Sequence, residues 1–222
     1  FVCDGGEASF VFVIIDTDEG ISGYGECTLE GRELAVVGAI EECARMLVGK
    51  NPLEVEKIWT TWNRSFPWKG VVVYSAMSGL EHALWDIAGK FYGLPVHKML
   101  GGPVRDKVRA YTWPGASDDP AEVGRLAKAA ADQWGFSAFK IDTFREATWT
   151  VPQRELEHME NCILAIRDAV GPYAEIAVDG HWRFIAPAAV QIARVLEPLN
   201  VLFLEEPTTS DNAEGLARLR ST

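Results

Sequence analysis

From residue 104 onward, short apolar runs alternate with helical stretches, and three of the runs stop on charged side chains. Phe136 to Ile141 leads into Lys140-Ile141-Asp142, Ile176 to Val178 into Asp179-Gly180-His181, and Val201 to Leu204 into Glu205-Glu206-Pro207. A short, continuous apolar run between helical segments marks a strand covered on both faces, which is the habit of parallel sheets. The pattern predicts strands at 108–113, 138–142, 176–179 and 201–205. Each is followed by a helix: Pro120 to Trp134, Gln153 to Val170, Pro187 to Leu196, and one opening at Asn212. Successive βα units with polar groups just past the strands are how a (β/α)₈ barrel builds its catalytic face. Four units do not close such a barrel, and an open half would leave apolar strand edges in water. The expectation is therefore the first half of a barrel, with about 150 further residues past Thr222.

Residues 1–103 read differently. Phe10 to Asp16 is rich in β-branched and aromatic residues, Asp18-Glu19-Gly20 is a turn, and Ile21 to Cys27 returns as the second arm of a hairpin. Leu34 to Val48 is helical, a second helix opens at Asn51-Pro52 and runs to about Trp62, and Phe66 to Gly70 is a loop. A long helix from Tyr74 to Tyr92 is stopped by Gly93 and Pro95. Strands followed by helices make an α+β domain. The predicted organisation is thus an α+β domain over 1–103 and an α/β domain over 104–222.

Asp179 and Glu205, at successive strand ends, offer the oxygen ligands that a hard cation such as Mg²⁺ takes. Lys140 and His181 on the same rim are candidates for proton transfer. Each carboxylate alone could equally cap a helix, but the pair at this spacing reads as a metal site. Glu206 follows Glu205 directly, and strand alternation points it away from that site. His82 and Asp86 lie four apart on an apolar helix remote from the strand ends and read as structural, while His97 and His158 read as surface or loop residues. Of the tryptophans, Trp149 and Trp182 follow strands at the catalytic face and are candidates to line a pocket.

The formal net charge of −11 disfavours nucleic acid and anionic membrane as partners. There is no apolar run near the roughly 18 residues of a membrane span, and no basic stretch precedes an apolar one at the start. The four cysteines form no CxxC pair and read as reduced, mostly buried thiols, which suits the cytoplasm.

The stretch Ser75-Ala-Met-Ser-Gly-Leu-Glu-His-Ala-Leu-Trp-Asp-Ile-Ala-Gly-Lys90 resembles the helix signature of the mandelate racemase and muconate lactonizing branch of the enolase superfamily. Ile176 through Asp179, His181, Leu196 and Glu205-Glu206-Pro207 resembles that branch's second signature, and Gly23-Tyr-Gly-Glu26 and Gly101-Gly-Pro103 also fit. Asp-x-His on the third strand and Leu29-Glu-Gly-Arg32 look like the galactonate-dehydratase type of sugar-acid dehydratase.

The resemblance implies a capping domain on the barrel and a Mg²⁺-dependent lyase. Its chemistry is α-proton abstraction from a sugar acid, stabilisation of the charge that develops, and loss of water to a 2-keto-3-deoxy acid. Asp179 and Glu205 would be metal ligands and His181 the general acid for the departing 3-hydroxyl. Lys140 would contact the substrate carboxylate or the enediolate oxygen. A third metal ligand and a His-Asp base are implied beyond Thr222. Many family members carry Lys-x-Lys on the second strand, where this chain has Asp142. That residue is open to binding a substrate hydroxyl, pairing with Lys140, or acting as a base. Trp182 and Lys69, the latter with Trp68 in a capping-domain loop, are candidate substrate contacts, as is the segment from Cys27 to Arg32. The resemblance also implies a homo-oligomer at full length. The alternatives are a racemase, epimerase or cycloisomerase of the same branch, and a non-catalytic metal-binding relative.

Overall fold

Gly20, with φ +81°, lets the chain turn between two antiparallel strands, and its N–H bonds to the Thr17 carbonyl at 3.1 Å. The computed structural model describes residues 1–4, 9–65, 67–145 and 147–221, so Phe66 of the predicted loop and the terminal Thr222 lie outside the described residues. Two units are distinguished, Phe1–Asp106 and Lys107–Thr222.

In the first unit, β1 (Val2–Asp4), β2 (Ser9–Asp16) and β3 (Ser22–Glu26) form an antiparallel sheet in that order. Strand β1 was not foreseen; its three residues are too few to show alternation. Helices α1 (Glu33–Leu47), α2 (Val55–Ser65) and α3 (Val71–Tyr92) follow, then a single turn, α4 (Val96–Met99). Helix α2 begins later than the Asn51-Pro52 pair predicts. Asn51 Oδ1 instead accepts the Leu53 N–H at 3.0 Å, and that local turn delays the helix. Helix α3 ends where expected, with Gly93 in the left-handed region at φ +65°.

The Gly23-Tyr-Gly25 segment explains how α3 reaches the sheet. A Cβ on Gly25 would lie 1.8 Å from the Gly79 carbonyl oxygen, and one on Gly23 would lie 2.1 Å from that of Ala83. Backbone thus meets backbone along this seam. Asp86 of α3 accepts the Tyr24 N–H at 3.0 Å and the Lys90 ammonium at 2.7 Å, which is the structural role predicted for it. Trp62, Met77, Leu80 and Leu84 form the heart of this unit's core.

The second unit holds β4 (Ala138–Ile141), β5 (Glu175–Asp179) and β6 (Leu204–Glu205) as a parallel sheet in that order. Its helices are α5 (Pro120–Trp134), α6 (Gln153–Val170), α7 (Ala186–Leu196) and α8 (Ala213–Arg220). Asp119 caps α5 by accepting the Ala121 N–H at 3.0 Å, Pro120 takes the first helical position, and Gly135 at φ +76° ends it. The predicted strand at 108–113 is reduced to one bridge. Thr112 donates to the Ala138 carbonyl and accepts from Lys140 N–H, while Val108 and Tyr111 stay exposed. With so few ladder bonds the segment keeps a strand's direction without forming a strand.

Phe139, Ile141, Ile176 and Val178 of the sheet pack with Met159, Ile163, Ile166 and Ile192 of the helices. Each such side chain contributes about 1.5–3 kcal/mol by burial. The reading of His158 as a surface or loop residue is corrected here. It lies buried on α6 with Nε2 3.6 Å from Cys162 Sγ, because the helical period turns 155, 158, 159 and 162 to the same inner stripe. Among the described residues, no helix is long and apolar enough to cross a membrane.

Candidate active site

Parallel pairing fixes the rim. Asp179 stands opposite Glu205 in the β5–β6 register, and Lys140 pairs with Ala177 one strand over. The ammonium of Lys140 donates to Asp179 Oδ2 at 2.7 Å and to Glu205 Oε1 at 2.8 Å. Two carboxylates thus converge on one cation. Burial works against the charge on Lys140, but the two carboxylates outweigh it and hold its pKa above the ordinary lysine range. Asp179, almost wholly buried, is likewise disfavoured as an anion by desolvation. The Lys140 bond and the His181 N–H, which donates to its Oδ1 at 3.0 Å, reverse that and bring its pKa below the usual aspartate value.

Glu206 departs from the prediction that it points away. Its backbone is left-handed at φ +43°, which breaks the strand's alternation. One carboxylate oxygen each from Asp179, Glu205 and Glu206 lie within 4.8 Å of one another. Burial, then the charges of Asp179 and Glu205, push the Glu206 pKa upward. An all-oxygen set already drawn around a positive charge suits a hard cation, so these residues fit the metal the sequence suggested. Nothing in the residue pattern announced a left-handed Glu206; Pro207 behind it was the only hint of a break.

His181 Nδ1 lies 2.7 Å from Asp142 Oδ2, and Nε2 lies 3.6 Å from Asp179 Oδ2. Asp142 therefore pairs with His181 and not with Lys140. Its other oxygen, Oδ1, accepts from Arg183 Nη2 at 2.5 Å and from the Phe144 N–H at 3.2 Å. The sequence reading missed Arg183. Its spacing, two residues past His181, was the available signal, since that spacing can return a side chain to the same side.

Four of the five non-glycine residues with left-handed backbone among the described residues are Trp149, His181, Trp182 and Glu206. All four follow the C-terminal ends of β4, β5 or β6. Such a conformation costs about 1–2 kcal/mol per residue and persists only where surrounding bonds impose it. Here the Trp182 N–H donates to the Glu206 carbonyl at 2.9 Å, and the Trp149 N–H to that of Arg183 at 2.8 Å. Both indoles remain about half exposed or more, at 49% for Trp182 and 70% for Trp149. Lys69, in the first unit, donates to the carbonyl and side-chain oxygens of Asn63 at 2.5 and 2.8 Å.

A strand-end acid pair, a lysine between the acids and a histidine fixed beside them define a class, and comparison with known proteins identifies it. Residues 3–101 match the mandelate racemase/muconate lactonizing enzyme N-terminal domain, and residues 122–222 match the enolase C-terminal domain-like family. The chain belongs to the mandelate racemase/muconate lactonizing enzyme family of the enolase superfamily.

Within that family it is 38% identical to a D-galactonate dehydratase of Variovorax paradoxus, over 96% of this chain and 56% of the relative. A crystal structure described as a candidate dehydratase from Mesorhizobium loti superposes with a TM-score of 0.92 at 31% identity, covering 100% of this chain and 61% of that one. An enolase from Agrobacterium radiobacter, described as a candidate galactarate dehydratase with bound Na and L-malate, gives 0.87 at 31% identity, over 100% and 57% of the two chains. The chain spans about half the length of the curated relatives it matches, 55–56% of each.

Proposed function

We propose that this chain supplies the capping domain and the first four βα units of a (β/α)₈-barrel sugar-acid dehydratase. The reaction converts a 2,3-dihydroxy acid to a 2-keto-3-deoxy acid. The observation that carries the reading is the convergence of Asp179 and Glu205 on one cation, with His181 oriented beside them by Asp142. Relatives described as dehydratases, and a structural neighbour holding a small hydroxy acid, support the same substrate class.

Asp179 and Glu205 would hold Mg²⁺. When bound, the ion supplies Lewis-acid stabilisation of negative charge on the substrate carboxylate as the α-proton leaves. Lys140 places its ammonium beside the same carboxylate and holds its proton there. His181, with Nδ1 engaged by Asp142, presents Nε2 as the atom that protonates the departing 3-hydroxyl. The C–O bond breaks, water leaves, and the enol tautomerises to the ketone. Trp182, half exposed beside the strand ends, walls the site.

Asp142 has both oxygens occupied by partners, which suits a positioning role and speaks against a second base for racemisation. Three buried, unpaired cysteines agree with a cytoplasmic enzyme. The test is a panel of sugar acids offered to the full-length protein with Mg²⁺ or with EDTA, the keto product being trapped with semicarbazide. Mg²⁺-dependent product from one or a few stereoisomers is expected. Solvent deuterium exchange at the α-carbon with no keto product would replace the dehydratase by a racemase or epimerase.

A further inference from the structure

Arg183 makes more directed contacts around the site than any role in the scheme above uses. Nη2 donates to Asp142 Oδ1 at 2.5 Å, Nη1 to the Phe144 carbonyl at 3.2 Å, and Nε to the Gly180 carbonyl at 3.1 Å. The Phe144 N–H donates to the same Asp142 oxygen at 3.2 Å. The guanidinium also lies 5.8 Å from the ring centroids of both Phe144 and Phe184. Those two rings are buried and meet edge to face at 4.9 Å. The fork is therefore fixed at every nitrogen and stacked against a rigid wall, although Arg183 stands just four residues past Asp179, the carboxylate that ends β5.

Asp142 is held in turn through one oxygen only. Oδ1 takes Arg183 and the Phe144 N–H, leaving Oδ2 for His181 Nδ1 at 2.7 Å. His181 itself is half exposed, so packing alone does not fix its ring. We infer that Arg183 is a positioning residue for the dehydration step. It clamps Asp142 so that Oδ2 accepts from His181 Nδ1, and this keeps Nε2 of His181 aimed at the substrate's leaving hydroxyl. The inference rests on the dehydratase reading for its kinetics, though not for its geometry.

A guanidinium is required, because an ammonium cannot bond Asp142, Phe144 and Gly180 together from one planar fork. Support of this kind behind a functional side chain is worth roughly 10–100-fold. Arg183→Ala should therefore lower kcat for dehydration about 10–100-fold with KM changed less than about threefold. Exchange of the α-proton with deuterated solvent should stay within about threefold of the parent, since His181 acts only in the later step. Guanidinium ion added to Arg183→Ala should restore part of the lost turnover, and Arg183→Lys should stay impaired.

A parallel measurement does not need turnover. Long-range ¹H–¹⁵N spectra of His181 should show a hydrogen-bonded proton fixed on Nδ1 in the parent, both in the imidazolium that donates from Nε2 and in the imidazole left after that transfer. The mixed pattern of a free imidazole should appear in Arg183→Ala. A parent that dehydrates no sugar acid would sink the functional reading while the spectra still decide the clamp. Unchanged spectra, or dehydration and exchange falling together, would overturn the clamp.

Discussion

Lys140→Met should destabilise the protein in the absence of metal, and added Mg²⁺ should undo part of the loss. In the parent the ammonium sits 2.7 and 2.8 Å from the Asp179 and Glu205 carboxylates. Methionine fills similar volume and removes the charge, leaving carboxylate oxygens within 4.8 Å of each other with no ammonium between them. At an effective dielectric of about 20, that repulsion is about 3.5 kcal/mol. Uptake of a proton by one carboxylate relieves part of it at neutral pH, so a net loss of roughly 2–3 kcal/mol is expected. For a chain of this size that is a fall in Tm of about 4–12 °C. Thermal melts in EDTA and in Mg²⁺ read it directly, with the gap between variant and parent narrowing in Mg²⁺. An unchanged melt in EDTA would refute the coupling of Lys140 to the two acids. Equal Mg²⁺ stabilisation of parent and variant would refute their being the ligands.

Other perturbations test separate links. His181→Asn should abolish dehydration while sparing α-proton exchange, as followed by semicarbazide trapping and deuterium incorporation. Asp179 has a pKa held below its ordinary value, so the unfolded chain takes up this proton first on acidification. Its contribution to stability is then complete above about pH 3.9 and lost as pH falls through the folded value. Acid titrations of the parent against Asp179→Asn should show the parent's extra acid-sensitive loss. Gly25→Ala should destabilise the first unit by roughly 1–3 kcal/mol or more, because its Cβ would meet the Gly79 carbonyl at 1.8 Å. Chemical denaturation measures that. Burial pushes the Cys27 and Cys162 thiols up to about 11, and Cys3 is exposed. A thiol reagent at neutral pH should therefore label Cys3 rapidly in the native state and Cys27, Cys43 and Cys162 only on unfolding.

Sequence alone revealed most where one strong local signal acted. The Asp119-Pro120 start and Gly135 stop bound α5. The apolar runs ending on Lys140, Asp179 and Glu205 placed the sheet's C-terminal edge, since a strand buried on both faces must turn polar where it leaves the core. Signals failed where long-range bonds decide the backbone. Thr112 was read inside a strand because Val108 and Tyr111 look like one, yet its pairing is limited to β4. Glu206 was assigned by alternation, a rule that holds only while φ stays negative. Arg183 carries no local signal, because arginines are common and its three partners come from residues 142, 144 and 180. At His158 the helical period, which points it inward, outweighs histidine's usual place at the surface.

The left-handed backbone at Trp182 has a consequence for anyone who would improve this protein by selection. Glycine adopts that conformation freely, so Trp182→Gly would relieve about 1–2 kcal/mol of backbone cost, but it gives up the buried half of the indole and adds about 0.5–1 kcal/mol of chain entropy, so a library screened for heat resistance alone should keep the tryptophan. Packing of the indole's buried half would then preserve this strained backbone even where nothing selects for activity.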